Sequence, residues 1–181
     1  MNQKSVFDTV RAAFGPLSPQ QVDGFNVLFS EYVASTWTDS RWFAYLLATA
    51  WHETGFTMEP VREAFWMSEL WREQHLRYWP WYGRGFCQLT WKANYAKADS
   101  ELGLNGALLA TPDLALKSDV AAKVIFKGMD EGWFTGRRLK DYIAGGTCDY
   151  VNARRIINGL DKASAIAAYA ASFEKSLNVS L

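Results

Sequence analysis

The segment YGRGFCQLTWKANY, residues 82–95, carries the strongest structural signal in this sequence. Gly83 and Gly85 flank Arg84, and glycine permits unusual backbone angles and the close approach of a ligand. The phosphate-loop patterns GxGxxG and GxxxxGK[ST] are both absent, which argues against a nucleotide site. The segment therefore predicts either a simple turn or a backbone against which a ligand can lie, with Arg84 beside that ligand.

The second half of this segment combines polar side chains with aromatic neighbours. Gln88, Thr90 and Asn94 would line one wall of a cleft if a helix begins near Thr90 and runs to about Leu102. A hydroxyl group both donates and accepts hydrogen bonds, so Thr90 is suited to positioning a water molecule.

Upstream, TAWHETGF, residues 49–56, predicts the end of an apolar helix at Glu53. A helix C-terminus carries partial negative charge, and apolar neighbours disfavour a carboxylate. We therefore expect Glu53 to keep its proton near neutral pH, as a general acid must; a solvated helix-end glutamate is the alternative. A zinc site at His52 is disfavoured because residue 56 of an HExxH motif would be histidine, and here it is Phe56.

Two further carboxylates follow in MEPVREAFW, residues 58–66: Glu59 and Glu63. Two carboxyl groups on separate elements that face one cleft are the general arrangement for glycoside hydrolysis. The residues alone leave open which of the two would pair with Glu53.

The remaining sequence predicts a mainly α fold, a helical bundle with at most one short β-hairpin, within residues 56–90. We expect one catalytic domain over residues 1–181, with residues 1–35 as an alternative N-terminal helical cap. The helices are expected at residues 4–14, from Ser18, from Asp39 to Gly55, at 66–77, from about Thr90, at 120–132, at 151–157, and from an Asp161 cap to about Leu177.

Composition narrows the function further. Nineteen basic and 19 acidic residues balance, so we expect no nucleic-acid partner. Aromatic residues make up 15% of the chain, and five tryptophans fall within residues 66–91, which favours a cleft for sugar rings. We expect neither a signal peptide nor a membrane span, because the N-terminus lacks an apolar stretch and no run of 18 apolar residues exists. The five tryptophans are Trp66, Trp71, Trp79, Trp81 and Trp91.

Three motifs together resemble the family 19 glycoside hydrolases, a group of lysozyme-like fold that includes chitinases and phage endolysins. They are HETG at 52–55, YGRGFCQLTWKANY at 82–95 and IING at 156–159, in the order in which the family carries them. The resemblance covers about residues 40–175. The short chain and the small number of cysteines resemble the endolysin branch of the family. The two cysteines predict buried free thiols more than a disulfide.

The resemblance implies roles for particular residues. Glu53 corresponds to the general acid and Glu63 to the general base, with Glu59 as the alternative base. Thr90 corresponds to the residue that holds the attacking water. Asp161 is a candidate for an acidic residue that pairs with an arginine, supplied by Arg154 or Arg155. The substrate-binding positions implied are Tyr82, Arg84, Gln88, Asn94 and Asn158.

The function implied is hydrolysis of the β-1,4 bond between N-acetylmuramic acid and N-acetylglucosamine in peptidoglycan, with inversion. In an inverting enzyme the two carboxyl groups lie about 6.5–9.5 Å apart, to leave room for water. The alternatives are a chitinase, a lytic transglycosylase, which needs no water-activating base, and an inactive glycan-binding module.

The same resemblance implies the setting of the reaction. We expect a monomer that needs no metal or cofactor, acts on peptidoglycan glycan strands and does not insert stably into a membrane. It would stay in the host bacterial cytoplasm until a holin-type partner permeabilises the membrane and releases it to the cell wall.

Overall fold

The computed structural model describes residues 3–178, and within them it forms eight α-helices around one hydrophobic core. The helices are α1 (Gln3–Phe14), α2 (Pro19–Ala34), α3 (Ser40–Glu53), α4 (Glu69–His75), α5 (Lys92–Glu101), α6 (Ala107–Ala110), α7 (Ser118–Glu131) and α8 (Ala163–Asn178). Three 3-10 helices lie at Pro112–Leu116, Leu139–Asp141 and Asn152–Ile156. The strands are β1 (Val61–Arg62), β2 (Arg84–Gly85), β3 (Ile143–Ala144) and β4 (Thr147–Cys148). The mainly α prediction is confirmed.

Helix α3 is the central element of the core. Nine consecutive residues, Phe43 to Trp51, are buried, and a helix that is apolar on every side belongs in an interior. Asp39 caps its N-terminus by accepting a hydrogen bond from the backbone of Arg41 at 3.0 Å. Helix α8 packs along α3 and contributes Phe173 to the core. The rigid setting of α3 fixes the position of its last residue, Glu53.

Helices α1 and α2 belong to the same core. Val6 on α1 and Phe25 on α2 are fully buried in it. The predicted start of α2 is confirmed: Ser18 and Gln21 form a reciprocal capping box. Gly24 lets α2 approach the loop after α3, because a Cβ atom there would lie 1.8 Å from the carbonyl oxygen of Met58.

The strands differ from the predicted hairpin. β1 and β2 pair antiparallel, with Val61 opposite Gly85 and Arg62 opposite Arg84, but α4 lies between them in the chain. This ladder is therefore a long-range contact. The tight hairpin of the structure, β3 with β4, was not predicted, and its turn carbonyl at Gly145 accepts a hydrogen bond from Arg41 at 3.0 Å.

Two helix predictions near the C-terminus need correction. The segment 151–157 forms a 3-10 helix over Asn152–Ile156. Helix α8 begins at Ala163, and Lys162, between it and Asp161, has a left-handed backbone with φ of 57°. The prediction that Asp161 caps α8 is therefore wrong. Its carbonyl oxygen instead accepts a hydrogen bond from Arg154.

Candidate active site

A cleft of about 410 Å³ brings Glu53 and Glu63 together. Glu53 ends helix α3, whereas Glu63 directly follows strand β1, so the two carboxylates reach the cleft from different elements. This is the arrangement that glycoside hydrolysis requires. The lining residues are Glu53, Glu63, Tyr78, Cys87, Gln88, Thr90, Trp91, Asn94, Phe134, Ile157 and Asn158.

The Glu53 carboxylate has a cationic partner that the apolar helix pattern did not predict. Its Oε1 atom accepts a hydrogen bond from Nη1 of Arg154 at 2.5 Å, and its side chain is only 15% exposed. The expectation of purely apolar surroundings is thus corrected. Because Arg154 occupies Oε1, the other oxygen, Oε2, is the one available to carry a proton toward a substrate.

Arg154 is itself buried and held in place. Its Nε atom donates to the carbonyl oxygen of Asp161 at 3.1 Å. Between the two arginines considered from the sequence, Arg154 supplies the cation, while Arg155 is exposed and contacts Asn152. Asp161 contributes its main-chain oxygen to this arrangement, and the carboxylate in the ion pair is that of Glu53.

Glu63 is fixed through both its backbone and its carboxylate. Its backbone nitrogen donates to the carbonyl oxygen of Gly83 at 2.7 Å, and Gly83 returns a hydrogen bond from its nitrogen to Oε2 at 3.0 Å. Glycine at position 83 leaves room for both side chains, since a Cβ atom there would lie 2.5 Å from Oε1 of Gln88 and 3.1 Å from Oε2 of Glu63. The Tyr78 hydroxyl donates to Oε1 of Glu63 at 3.1 Å.

Burial and the neighbouring Glu63 carboxylate raise the pKa of Tyr78 above its ordinary value. The phenol therefore stays protonated through the neutral range and remains a hydrogen-bond donor to Glu63. Nothing in the sequence around Tyr78 distinguished it from the other aromatic residues of this region, because its role depends on the folded position of Glu63.

The alternative base, Glu59, lies elsewhere. It is exposed and lines two other cavities, beside the start of α2, together with Gln20. The geometry thus pairs Glu53 with Glu63.

Four polar side chains expected at the site do line the cleft: Gln88, Thr90, Asn94 and Asn158. Thr90 donates its hydroxyl proton to the carbonyl oxygen of Gln88 at 2.7 Å, which leaves its oxygen free to accept a hydrogen bond from water. Gln88 has a left-handed backbone and donates from Nε2 to the carbonyl oxygen of Val61 at 3.1 Å. Within residues 3–178, the Asn94 side chain has no hydrogen-bond partner and is available to a ligand.

Tyr82 and Arg84, also expected to bind substrate, lie behind the cleft wall. Tyr82 is fully buried and donates from its hydroxyl to Oε1 of Glu69 at 2.9 Å. Arg84 is 3% exposed, lies 3.6 Å from the centroid of the Tyr82 ring, and donates to Asp113 at 2.8 Å. The expectation is corrected: these side chains support the β1–β2 ladder from inside.

The tryptophan cluster also separates on folding. Of the five tryptophans in residues 66–91, Trp91 is the one that lines the cleft, and it is 45% exposed. Trp79 instead stacks on Tyr82 at 5.7 Å. The sequence did not mark Phe134 and Ile157 as part of the cleft, to which they contribute apolar surface.

The two cysteines are free thiols. Cys87 is buried at the cleft, as expected, and burial raises the pKa of its thiol; Cys148 is exposed, contrary to expectation.

Among residues 3–178 no three histidine, cysteine or acidic side chains come together as a metal-binding group. None of the helices in this range has the length and apolar character needed to cross a membrane.

The described fold is mainly α, with eight helices around one hydrophobic core. Chitinase C from Streptomyces griseus HUT6037 is similar over 94% of this chain and 75% of that chain, with a TM-score of 0.65 and 22% identity. A mutant structure of chitinase C is similar over 98% of this chain and 85% of that chain, with a TM-score of 0.52 and 21% identity. The sequence matches no family model and no curated protein. The likeness confirms the expected mainly α fold.

A test of the site geometry is Tyr78→Phe. With a glycan, the substrate class that the motif resemblance implies, we expect kcat to fall about tenfold with little change in KM. The reason is that the Glu63 carboxylate loses the hydrogen bond that the Tyr78 hydroxyl donates to it. Steady-state kinetics would measure this effect. Tyr169→Phe, on α8 against Phe14, is the matched control. An unchanged kcat in Tyr78→Phe would contradict a role for this hydroxyl in holding the base.

Proposed function

We propose that this protein is a glycoside hydrolase that cleaves the β-1,4 bond between N-acetylmuramic acid and N-acetylglucosamine in peptidoglycan, with inversion at the anomeric carbon. The observation that carries the proposal is the convergence of Glu53 and Glu63, from separate elements, on one cleft. The motif resemblance and the fold likeness to chitinase C support the same reaction class.

The contacts support one set of proton transfers. Glu53 donates a proton from Oε2 to the departing glycosidic oxygen while Arg154 holds Oε1. Glu63 takes a proton from a water molecule, whose oxygen forms the new bond to the anomeric carbon on the opposite face of the sugar. Each oxygen of Glu63 already accepts one hydrogen bond, and a carboxylate oxygen has a second lone pair for this water.

Thr90 orients the same water. Its proton is committed to the Gln88 carbonyl, so its oxygen accepts one hydrogen of the water while Glu63 accepts the other. The amides of Asn94 and Asn158 suit the acetamido and hydroxyl groups of the sugars, and the exposed face of Trp91 suits their apolar C–H surface.

Chitin is the second candidate substrate, because the structures similar to this chain are of chitinase C. Chitin and peptidoglycan share the β-1,4 linkage and the acetamido groups. They differ in the lactyl-peptide branch of N-acetylmuramic acid, which the cleft must accommodate in one case only.

As part of this proposal, the protein acts as an endolysin in host cell lysis. It works as a monomer, remains in the bacterial cytoplasm and reaches the cell wall once a holin-type protein permeabilises the membrane. It has no nucleic-acid partner and does not insert stably into a membrane.

The test is mass spectrometry of products released from purified Gram-negative peptidoglycan, with chitin digested in parallel. We expect reducing N-acetylmuramic ends, and NMR of the first products should show the inverted α-anomer. Anhydro-muramic ends would identify a transglycosylase. Release of products from chitin alone would identify a chitinase, and no products from either polymer would contradict hydrolase activity.

A further inference from the structure

One short segment of the chain exposes three large apolar side chains. Phe65 is 59% exposed, Trp66 is 73% exposed and Leu70 is 62% exposed. The Phe65 and Trp66 rings contact each other edge to face, with centroids 5.1 Å apart. Exposed apolar groups that cluster in this way commonly mark an interaction site.

The turn that presents these rings is firmly anchored. Arg72 is 4% exposed and donates from Nε to the carbonyl oxygen of Glu63 at 2.9 Å and from Nη2 to that of Ala64 at 3.0 Å. Its Nη1 atom forms an ion pair with Glu69 at 2.8 Å. The Met67 nitrogen closes the turn with a hydrogen bond to the Ala64 carbonyl at 2.9 Å. The rings are thus held outward by buried contacts, which reduces the entropic cost of binding a ligand there.

The same turn carries Glu63, which lines the cleft. Phe65 and Trp66 follow Glu63 by two and three residues, so the Cα atom of Trp66 lies at most about 11 Å from that of Glu63. The exposed rings are therefore continuous along the chain with the cleft wall.

We propose that Phe65 and Trp66 form a stacking platform for N-acetylated sugar rings of the glycan strand beyond those held in the cleft. This proposal rests on the proposed function and names a part of the substrate that the cleft itself does not contact. The Trp66 ring offers the larger exposed surface to the C–H face of a sugar, and Phe65 supports it from the side. A platform without charge suits a glycan because pyranose faces are apolar while their hydroxyls stay in water.

The platform predicts a length-dependent effect of Trp66→Ala. We expect KM for peptidoglycan sacculi to rise about tenfold, with kcat and the cleavage of a soluble tetrasaccharide of alternating N-acetylglucosamine and N-acetylmuramic acid unchanged. Phe65→Ala should show a smaller rise in the same direction. Val33→Ala, which removes a side chain 79% exposed on α2, is the matched control.

Binding separates this proposal from the proposed function. Glu53→Gln protein, with and without Trp66→Ala, is sedimented with sacculi, and the fraction left in the supernatant gives an apparent Kd. We expect Trp66→Ala to raise this Kd about tenfold. That loss would support the platform even if wild-type protein hydrolyses nothing. Equal sedimentation would overturn the platform, as would an equal loss of tetrasaccharide cleavage, which would place Trp66 in the cleft. Loss of binding to phosphatidylethanolamine–phosphatidylglycerol vesicles, with sacculus binding intact, would overturn it in favour of a lipid surface.

Discussion

Replacing Glu53 with glutamine should reduce the rate of glycan hydrolysis about 10²–10⁴-fold, the usual contribution of a general acid. Glutamine keeps the shape of the side chain and can still accept the hydrogen bond from Arg154, which is 4% exposed, through its amide oxygen. The variant therefore retains the fold and the cleft but has no acidic proton to transfer to the leaving oxygen. Initial rates of reducing-end release from peptidoglycan would measure the loss.

The matched control for Glu53→Gln is Glu59→Gln. Glu59 is an exposed glutamate six residues further on that lies outside the cleft, so its amide should leave the rate unchanged. Thermal unfolding of both variants separates chemistry from stability. If Glu53→Gln released reducing ends as fast as the wild type, the acid assignment would fail. If neither protein released any, the hydrolase proposal would fail and a glycan-binding module would be favoured.

Replacing Glu63 with glutamine should also reduce hydrolysis about 10²–10⁴-fold, because the other carboxyl group that lines the cleft, Glu53, serves as the acid and cannot also take a proton from the attacking water. The amide fits the site, since the Tyr78 hydroxyl accepts as well as donates and the Gly83 nitrogen can still donate to an amide oxygen. Mass spectrometry of the residual products would test the mechanism as well as the rate.

The outcome for Glu63→Gln distinguishes two chemistries. Loss of reducing N-acetylmuramic ends, with Glu59→Gln active, would support the two-carboxylate mechanism. Anhydro-muramic ends that persist at the wild-type rate would instead show that the reaction needs one acid only. Activity lost in Glu59→Gln and kept in Glu63→Gln would reverse the base assignment that the cleft geometry favours.

Local sequence patterns predicted the helices that position Glu53. The Ser18 capping box, the Asp39 cap and the apolar run that ends at Glu53 are encoded within a few residues of one another. A helix pattern depends on contacts three and four residues apart, so it can be recognised before the tertiary structure is known.

Burial could not be recognised in the same way. Tyr82 and Arg84 belong to the most distinctive motif of the chain, yet they face the interior, where Glu69 and Asp113 satisfy them. Among the tryptophans of residues 66–91, which overlap this motif, Trp66 faces solvent and Trp91 faces the cleft. In an irregular segment no periodicity reveals which side of the backbone is buried, so residue type alone overestimated the number of substrate contacts.

The sequence by itself determined the helical class of the fold, the central helix with Glu53 at its end, and the polar set Gln88, Thr90, Asn94 and Asn158. The tertiary structure decided that Glu63 shares the cleft with Glu53, that the Tyr78 hydroxyl donates a hydrogen bond to Glu63, and that Arg154 occupies one oxygen of Glu53. Arg154 lies 101 residues from Glu53, and Gly83 lies 20 residues from Glu63. Contacts at such separations arise from the tertiary structure, in which Arg154 of the 3-10 helix Asn152–Ile156 meets the end of α3 and strand β2 pairs with β1. No local pattern in the chain specifies them.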